Sequence, residues 1–118
     1  MPFDHEKLEV YAVALDFLGH ANRIANTMPR GSGYLTDQVR RAALSVVLNI
    51  AEGAGRFSGD DKAAFYTRAR GSATECAAVL DVCARLEPIS VENAREHKQP
   101  LERIAQMLTR LIRVHQRT

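Results

Sequence analysis

An all-α fold, specifically an antiparallel up-down four-helix bundle, is what this 118-residue sequence predicts. Three observations point to it. Apolar residues recur at spacings of three and four in four successive segments, the period of one helix face. Helix-breaking stretches separate the segments: Met28-Pro29-Arg30-Gly31-Ser32-Gly33, Gly53-Ala54-Gly55 and Glu87-Pro88. No sustained apolar-polar alternation marks a strand, and no hairpin dipeptide joins two β-branched runs. The length suits one domain, residues 1–118, with a core that needs neither disulfide nor structural metal.

In the first segment the stripe is Leu8, Tyr11, Leu15 and Leu18, continuing through Asn22 and Ala25. Thr36 is the expected N-cap of the second helix, whose stripe is Val39, Ala43, Val46 and Ile50. Gly53-Ala54-Gly55 ends it. The third helix opens at Ser58 or Asp60, and its stripe is Phe65, Ala69, Ser72, Cys76, Val79, Cys83 and Leu86. Glu87-Pro88 stops it. Ser90 caps the fourth helix, which runs Ala94, His97, Leu101, Ile104, Leu108, Leu111 and His115. Pro100 lies inside that run and predicts either a kink or a restart, because proline lacks the amide hydrogen and crowds the preceding turn.

Several apolar residues fall off these stripes: Val10, Val13, Ala14 and Phe17, then Leu44, Val47 and Leu48, then Ile112 and Val114. A surface that wide exceeds what a monomer usually leaves wet, so a homo-oligomer is expected.

Charge is nearly balanced overall, at +2, but unevenly spread. Residues 1–16 carry a balance of −3 and residues 103–118 a balance of +4, with no acid in the latter. Thirteen of the sixteen basic residues are Arg, whose fork pairs with carboxylates and phosphates alike. Ion pairs on a solvated surface and a polyanion partner therefore both remain open. The longest apolar run, 42–51, is short and interrupted, so no membrane span is expected. An acidic start without an apolar region after it argues against a signal peptide, and a cytoplasmic protein is the expectation.

Chemistry-bearing patterns are few. Cys76 and Cys83 stand seven residues apart, about 10 Å along a helix, too far for a disulfide. They read as small buried apolar residues. The glycines at 53 and 55 follow no strand and precede no Gly-Lys-Ser/Thr, so they form no phosphate loop. No His has a Glu three positions before it, which excludes the di-iron bundle pattern. His97 and His115 sit on the apolar stripe and read as packed or interface residues rather than ligands. No spacing pairs a nucleophile with a base. The expectation is a protein without enzyme activity, metal or cofactor.

One stretch is more specific: Gln38-Val39-Arg40-Arg41-Ala42-Ala43-Leu44-Ser45-Val46-Val47-Leu48-Asn49-Ile50-Ala51-Glu52-Gly53. Gly55-Arg56-Phe57-Ser58 follows it, and Ala69-Arg70-Gly71-Ser72-Ala73-Thr74-Glu75 lies in the third helix. Together with the opening Phe3 to Ala14, these resemble the bacterial four-helix-bundle family that includes proteins encoded in 23S ribosomal RNA intervening sequences. The resemblance implies an up-down bundle that assembles into small rings, typically pentamers. That family is also similar to the accessory protein of diversity-generating retroelements, a pentameric bundle that works with a reverse transcriptase and binds nucleic acid. Nothing in the family pattern implies an enzyme.

Two residue sets are candidates for function. Ser45, Asn49 and Glu52 share one face of the second helix, with Arg41 a turn before Ser45. Ser72 and Glu75, beside Gly71, make a comparable face on the third. They form either an interhelical polar network that fixes register or a pocket for a ligand or RNA backbone; the network is the favoured reading, and Gly71 with Ser72 would permit close helix approach.

The second set is basic: Arg40, Arg56, Arg68 and Arg70, expected to gather with Arg41 near the junction of helices two and three, and Arg110, Arg113 and Arg117 at the end of the fourth. Tyr34 and Phe57 are the loop aromatics available for stacking. The function expected is a ring-forming bundle that binds nucleic acid, RNA or DNA, or a nucleoprotein partner through this basic surface. The alternative is an oligomeric protein-interaction scaffold whose arginines are engaged in subunit ion pairs.

Overall fold

A computed structural model describes residues 2–86 and 88–116. A short 3₁₀ turn, Asp4–Lys7, leads into four helices: α1 (Glu9–Thr27), α2 (Gly33–Ala54), α3 (Gly59–Leu86) and α4 (Val91–Gln116). Among the described residues there is no strand. Each helix packs on its neighbours in sequence, and α1 meets α4 to close the square. The paired residues run in opposite order across each seam. Glu9 meets Arg103 while His20 meets His97, and Arg70 meets Thr109 while Asp81 meets Lys98. The bundle is therefore antiparallel, as expected. The 28 residues of α3 span about 42 Å, close to the 46 Å long axis of the molecule, so the protein is a rod one helix long.

Local chemistry sets the helix ends. Ser58 caps α3 by accepting the Asp61 amide at 3.1 Å, and Ser90 caps α4 by accepting the Asn93 amide at 3.0 Å. Asp60 and Asp61 add favourable charge at the positive end of α3. The cap expected at Thr36 is not one. The second helix starts three residues earlier, and the Thr36 hydroxyl donates to the Gly33 carbonyl at 2.8 Å. The tight α1–α2 turn makes this early start possible, because Gly31 turns the chain at φ +94°, a conformation that favours glycine. Pro100 causes no restart: α4 is continuous through it.

The core corrects the expected register in two helices. In α1 the buried stripe is Val10, Ala14, Phe17, Ala21 and Ile24, and Leu15 is left 44% exposed. Of the expected stripe Ala25 is buried and Leu8, Tyr11 and Leu18 are half-buried against the core; both faces of this helix carry apolar residues, and spacing alone does not say which lies deepest. The face with Ala14 and Ala21 goes inward because small side chains allow close approach around Phe17. In α3 the anchors Ala69, Cys76 and Cys83 are buried as expected, but Tyr66, Ala73 and Leu80, one position later in each step, replace Phe65, Ser72 and Val79. Leu86 is exposed. The stripe of α2 is buried throughout, as are Ala94, Leu101, Ile104 and Leu108 of α4.

Cys76 and Cys83 are free thiols in the core. Burial, then the charges of Glu75 and Cys83, push the Cys76 thiol up to about 12, so it stays protonated and packs as an apolar group.

The α1–α4 seam is the thinnest of the four. The two rings of His20 and His97 bridge it, Nε2 to Nδ1 at 2.7 Å, beside a hollow lined by Val13, Asp16, Phe17, Pro100 and Arg103. Burial holds the His97 imidazole below its ordinary value of 6.5; His20 adds to this and Glu96 opposes it.

Two predictions follow from this packing. Cys76→Asp places an unpaired charge at a fully buried site and should abolish the cooperative thermal transition, whereas Leu15→Asp should leave the monomer's helical circular dichroism intact. Loss of fold in the Leu15 variant would refute the register. The second concerns pH. Because the folded state disfavours the charged His97 ring, the unfolded chain takes up that proton more readily. The stabilisation is complete above pH 6.5 and is lost as pH falls through 6.5 toward the lowered folded value. The melting temperature should therefore fall on acidification more steeply for the wild type than for His97→Gln.

Candidate nucleic-acid interface

The antiparallel arrangement carries the end of α2, the start of α3 and the end of α4 to one end of the rod. Tyr66 of α3 lies against His115 of α4, with ring centroids 5.8 Å apart. Residues 62–74 of α3 carry Lys62, Arg68 and Arg70 and no acid; residues 103–116 of α4 carry Arg103, Arg110 and Arg113 and no acid. Pairing these two acid-free stretches sets their positive charges side by side, while Asp4, Glu6, Glu9, Glu52, Asp60 and Asp61 lie at the same end on the neighbouring segments.

Each arginine is held differently. Arg56 in the α2–α3 connection approaches Glu52 at 3.3 Å and lies over the Phe65 ring at 4.5 Å. Arg68 lies over the same ring at 4.4 Å. Two guanidinium groups thus share one aromatic ring, each attracted by its negative face. On the other flank of α3, Arg70 Nε donates to Thr109 Oγ1 at 2.8 Å, and the Thr109 hydroxyl donates in turn to the Ala105 carbonyl at 2.9 Å. Arg113 lies one turn beyond Thr109 and is exposed. Arg110 is exposed one turn before Arg113, on the flank of α4 that meets Leu8 and Glu9. These five arginines fall into two groups, Arg56 and Arg68 at the Phe65 ring and Arg70, Arg110 and Arg113 along the α3–α4 side. Arg117 lies outside the described residues.

Arg40 does not join them. Its position is fourteen residues before the end of α2, about 21 Å along the axis, and it donates to Asn22 Oδ1 at 3.2 Å and Asn26 Oδ1 at 2.7 Å of α1. The gathering of Arg40 and Arg41 with Arg56, Arg68 and Arg70 is thus corrected: the helix length separates them. Tyr34 belongs to the first turn of α2, not to a loop, while Phe57 is a loop residue and 103% exposed.

The polar set divides in half. Ser45 and Ser72 hydroxyls meet at 2.7 Å across the α2–α3 seam, and Asn49 Nδ2 donates to the Ser45 carbonyl at 2.9 Å and to its hydroxyl at 3.1 Å. Arg41 and Glu75 are exposed and make no hydrogen bond to these three, and Glu52 is turned to Arg56. A shallow, open groove lies outside the triad, lined by Arg41, Leu44, Ser45, Leu48 and Asn49.

Gly71 does not bring the helices together, since a Cβ there would meet nothing. Gly53 does. A Cβ on Gly53 would lie 2.9 Å from Cε1 of Tyr66 and 3.1 Å from Cβ of Phe65. The glycine therefore seats the buried Tyr66 ring and, next to it, the ring that Arg56 and Arg68 share. Burial first, then the charge of Asp4, push the Tyr66 phenol above its ordinary value, which keeps it neutral in this site. Sequence reading missed the Phe65 platform and the asparagines that hold Arg40, because each contact joins different helices and leaves no local spacing.

Among the described residues no cluster of three His, Cys, Asp or Glu side chains is placed to hold a metal ion, and no helix is long and apolar enough to cross a membrane.

Comparison with known proteins agrees with this architecture. The profile of the family described as 23S rRNA-intervening sequence protein matches residues 6–110. A solved structure from Bacteroides thetaiotaomicron, described as a protein of unknown function from the S23 ribosomal protein family, superposes with a TM-score of 0.81. The two share 21% identity over 87% of this chain and 97% of the other, a likeness of fold. No curated protein matches the chain.

Gly53→Ala should destabilise the bundle by about 1–3 kcal/mol, since a buried ring and a Cβ fixed to its helix must both move. Gly71→Ala should be neutral or slightly stabilising, because alanine favours helix at an open position. Urea midpoints of the two variants check the contrast.

Proposed function

The chain belongs to the 23S rRNA-intervening sequence protein family, and from that premise we propose a non-catalytic, ring-forming bundle that binds nucleic acid, RNA in the first place, through its basic end. One observation carries this reading. Arg68, Arg70, Arg110 and Arg113 stand at the same end of the rod on acid-free stretches, and among the described residues none of them makes an ion pair. Uncompensated guanidinium groups attract phosphates, and each phosphate contact adds to the salt dependence of binding. Repeating the end around a ring multiplies a modest charge.

Assembly is supported by the outer face of the bundle. Of the off-stripe residues expected to form a second apolar surface, Val10, Ala14, Phe17 and Val47 are instead buried in the core; Leu44 and Leu48 of α2 remain 44% and 56% exposed, and Leu15 of α1, from the expected stripe, is 44% exposed. Burying them between copies removes apolar area from water. Five copies of the 13.1 kDa chain is the count favoured.

Gel filtration with light scattering should give a pentamer for the wild type and a folded monomer for Leu44→Asp/Leu48→Asp. The wild type should be retained on heparin and bind RNA. Arg70→Ala/Arg113→Ala should lower the slope of log affinity against log salt by about 1.5 to 2. A wild-type ring with no affinity for heparin or RNA would favour the scaffold reading, in which its surfaces bind a protein partner.

A further inference from the structure

We propose that the α2–α3 corner of the basic end is a binding site for unpaired nucleotides, with Phe57 stacking on a base and Arg56 and Arg68 holding the flanking phosphates. The inference rests on the nucleic-acid reading above and deepens it by naming single strands as the ligand. Phe57 is 103% exposed, at the tip of the connection and adjacent to Arg56. An apolar ring so open to water has no folding role there. A base offers it a face of matching size, and every base has one.

Beside it, Arg56 and Arg68 lie 4.5 and 4.4 Å from the centre of the Phe65 ring. Stacking occupies the faces of the guanidinium groups and leaves N–H donors at their edges for phosphate oxygens. Because Phe65 is itself set by its place against Gly53, the two charges are held in position before a ligand arrives, which reduces the side-chain entropy lost on binding. Glu52 balances only one of them.

The nearby acids refine the choice of ligand. Asp60 and Asp61 lie in the first turn of α3 and keep the net charge of the corner low. Backbone attraction alone is then weak here, and the exposed ring decides. A duplex hides the faces of its bases, whereas a single strand offers them. An acidic peptide gains the charges but has no flat partner for Phe57.

The test is fluorescence anisotropy with a labelled oligouridine of about 20 nucleotides and a duplex of equal length, over a salt series. Phe57→Ala should weaken single-strand binding about tenfold, leave duplex binding and melting temperature unchanged, and be rescued by Phe57→Tyr. Arg68→Ala should instead reduce the salt slope by about 0.7. Wild-type binding that Phe57→Ala leaves unaltered overturns this corner while the wider nucleic-acid reading stands. A wild type that binds neither oligonucleotide overturns both. Displacement of a labelled polyglutamate probe, with no affinity for oligouridine, overturns the corner in favour of an acidic protein partner.

Discussion

The approach of α2 to α3 at Gly53 is the constraint on which the rest of the structure depends. With no side chain there, the Tyr66 ring packs into the core and the two helices settle at one separation and one register. The Ser45–Ser72 hydrogen bond, midway along the same seam, fits only that register, and Asn49 completes it. Once α3 is placed, its second face receives α4, which brings the two acid-free stretches side by side. The juxtaposition of basic side chains at one end is thus a result of helix packing, not of any local run of arginines.

Much of the fold was legible in the sequence because its signals are local. Ser58 and Ser90 cap where their positions predict, the α2 stripe is buried residue for residue, and the two cysteines are core. The errors have physical causes. The first helix carries two apolar faces, so period alone does not say which is wet. In α3 the seam shifts by one position between its anchors because Tyr66 needs the space at Gly53, a fact about another helix. The candidate sites were less legible still. Ser45, Asn49 and Ser72 were found because they share faces and lie near the seam. Arg41, Glu52 and Glu75 have the same spacing but reach into water, where periodicity has no power to discriminate.

Two chemically different surfaces result. The outer face of α1 and α2 is leucine-rich, while the end of the rod is rich in arginine and carries the exposed aromatic ring. The proposed function would use the two surfaces separately, the sides between copies and the end for another molecule. Arg40 illustrates the division: its bonds to Asn22 and Asn26 tie α2 to α1, and it takes no part in the basic end.

The paired thiols have a use of their own. Cys76 and Cys83 stand on α3, packed between α2 and α4, and both are completely shielded. An alkylating reagent that requires thiolate therefore meets a native chain that does not react, and modifies it only when the C-terminal half of α3 separates from its neighbours. The protein thereby carries an intrinsic clock for its own opening, readable by mass spectrometry as two added groups per chain without any engineered label.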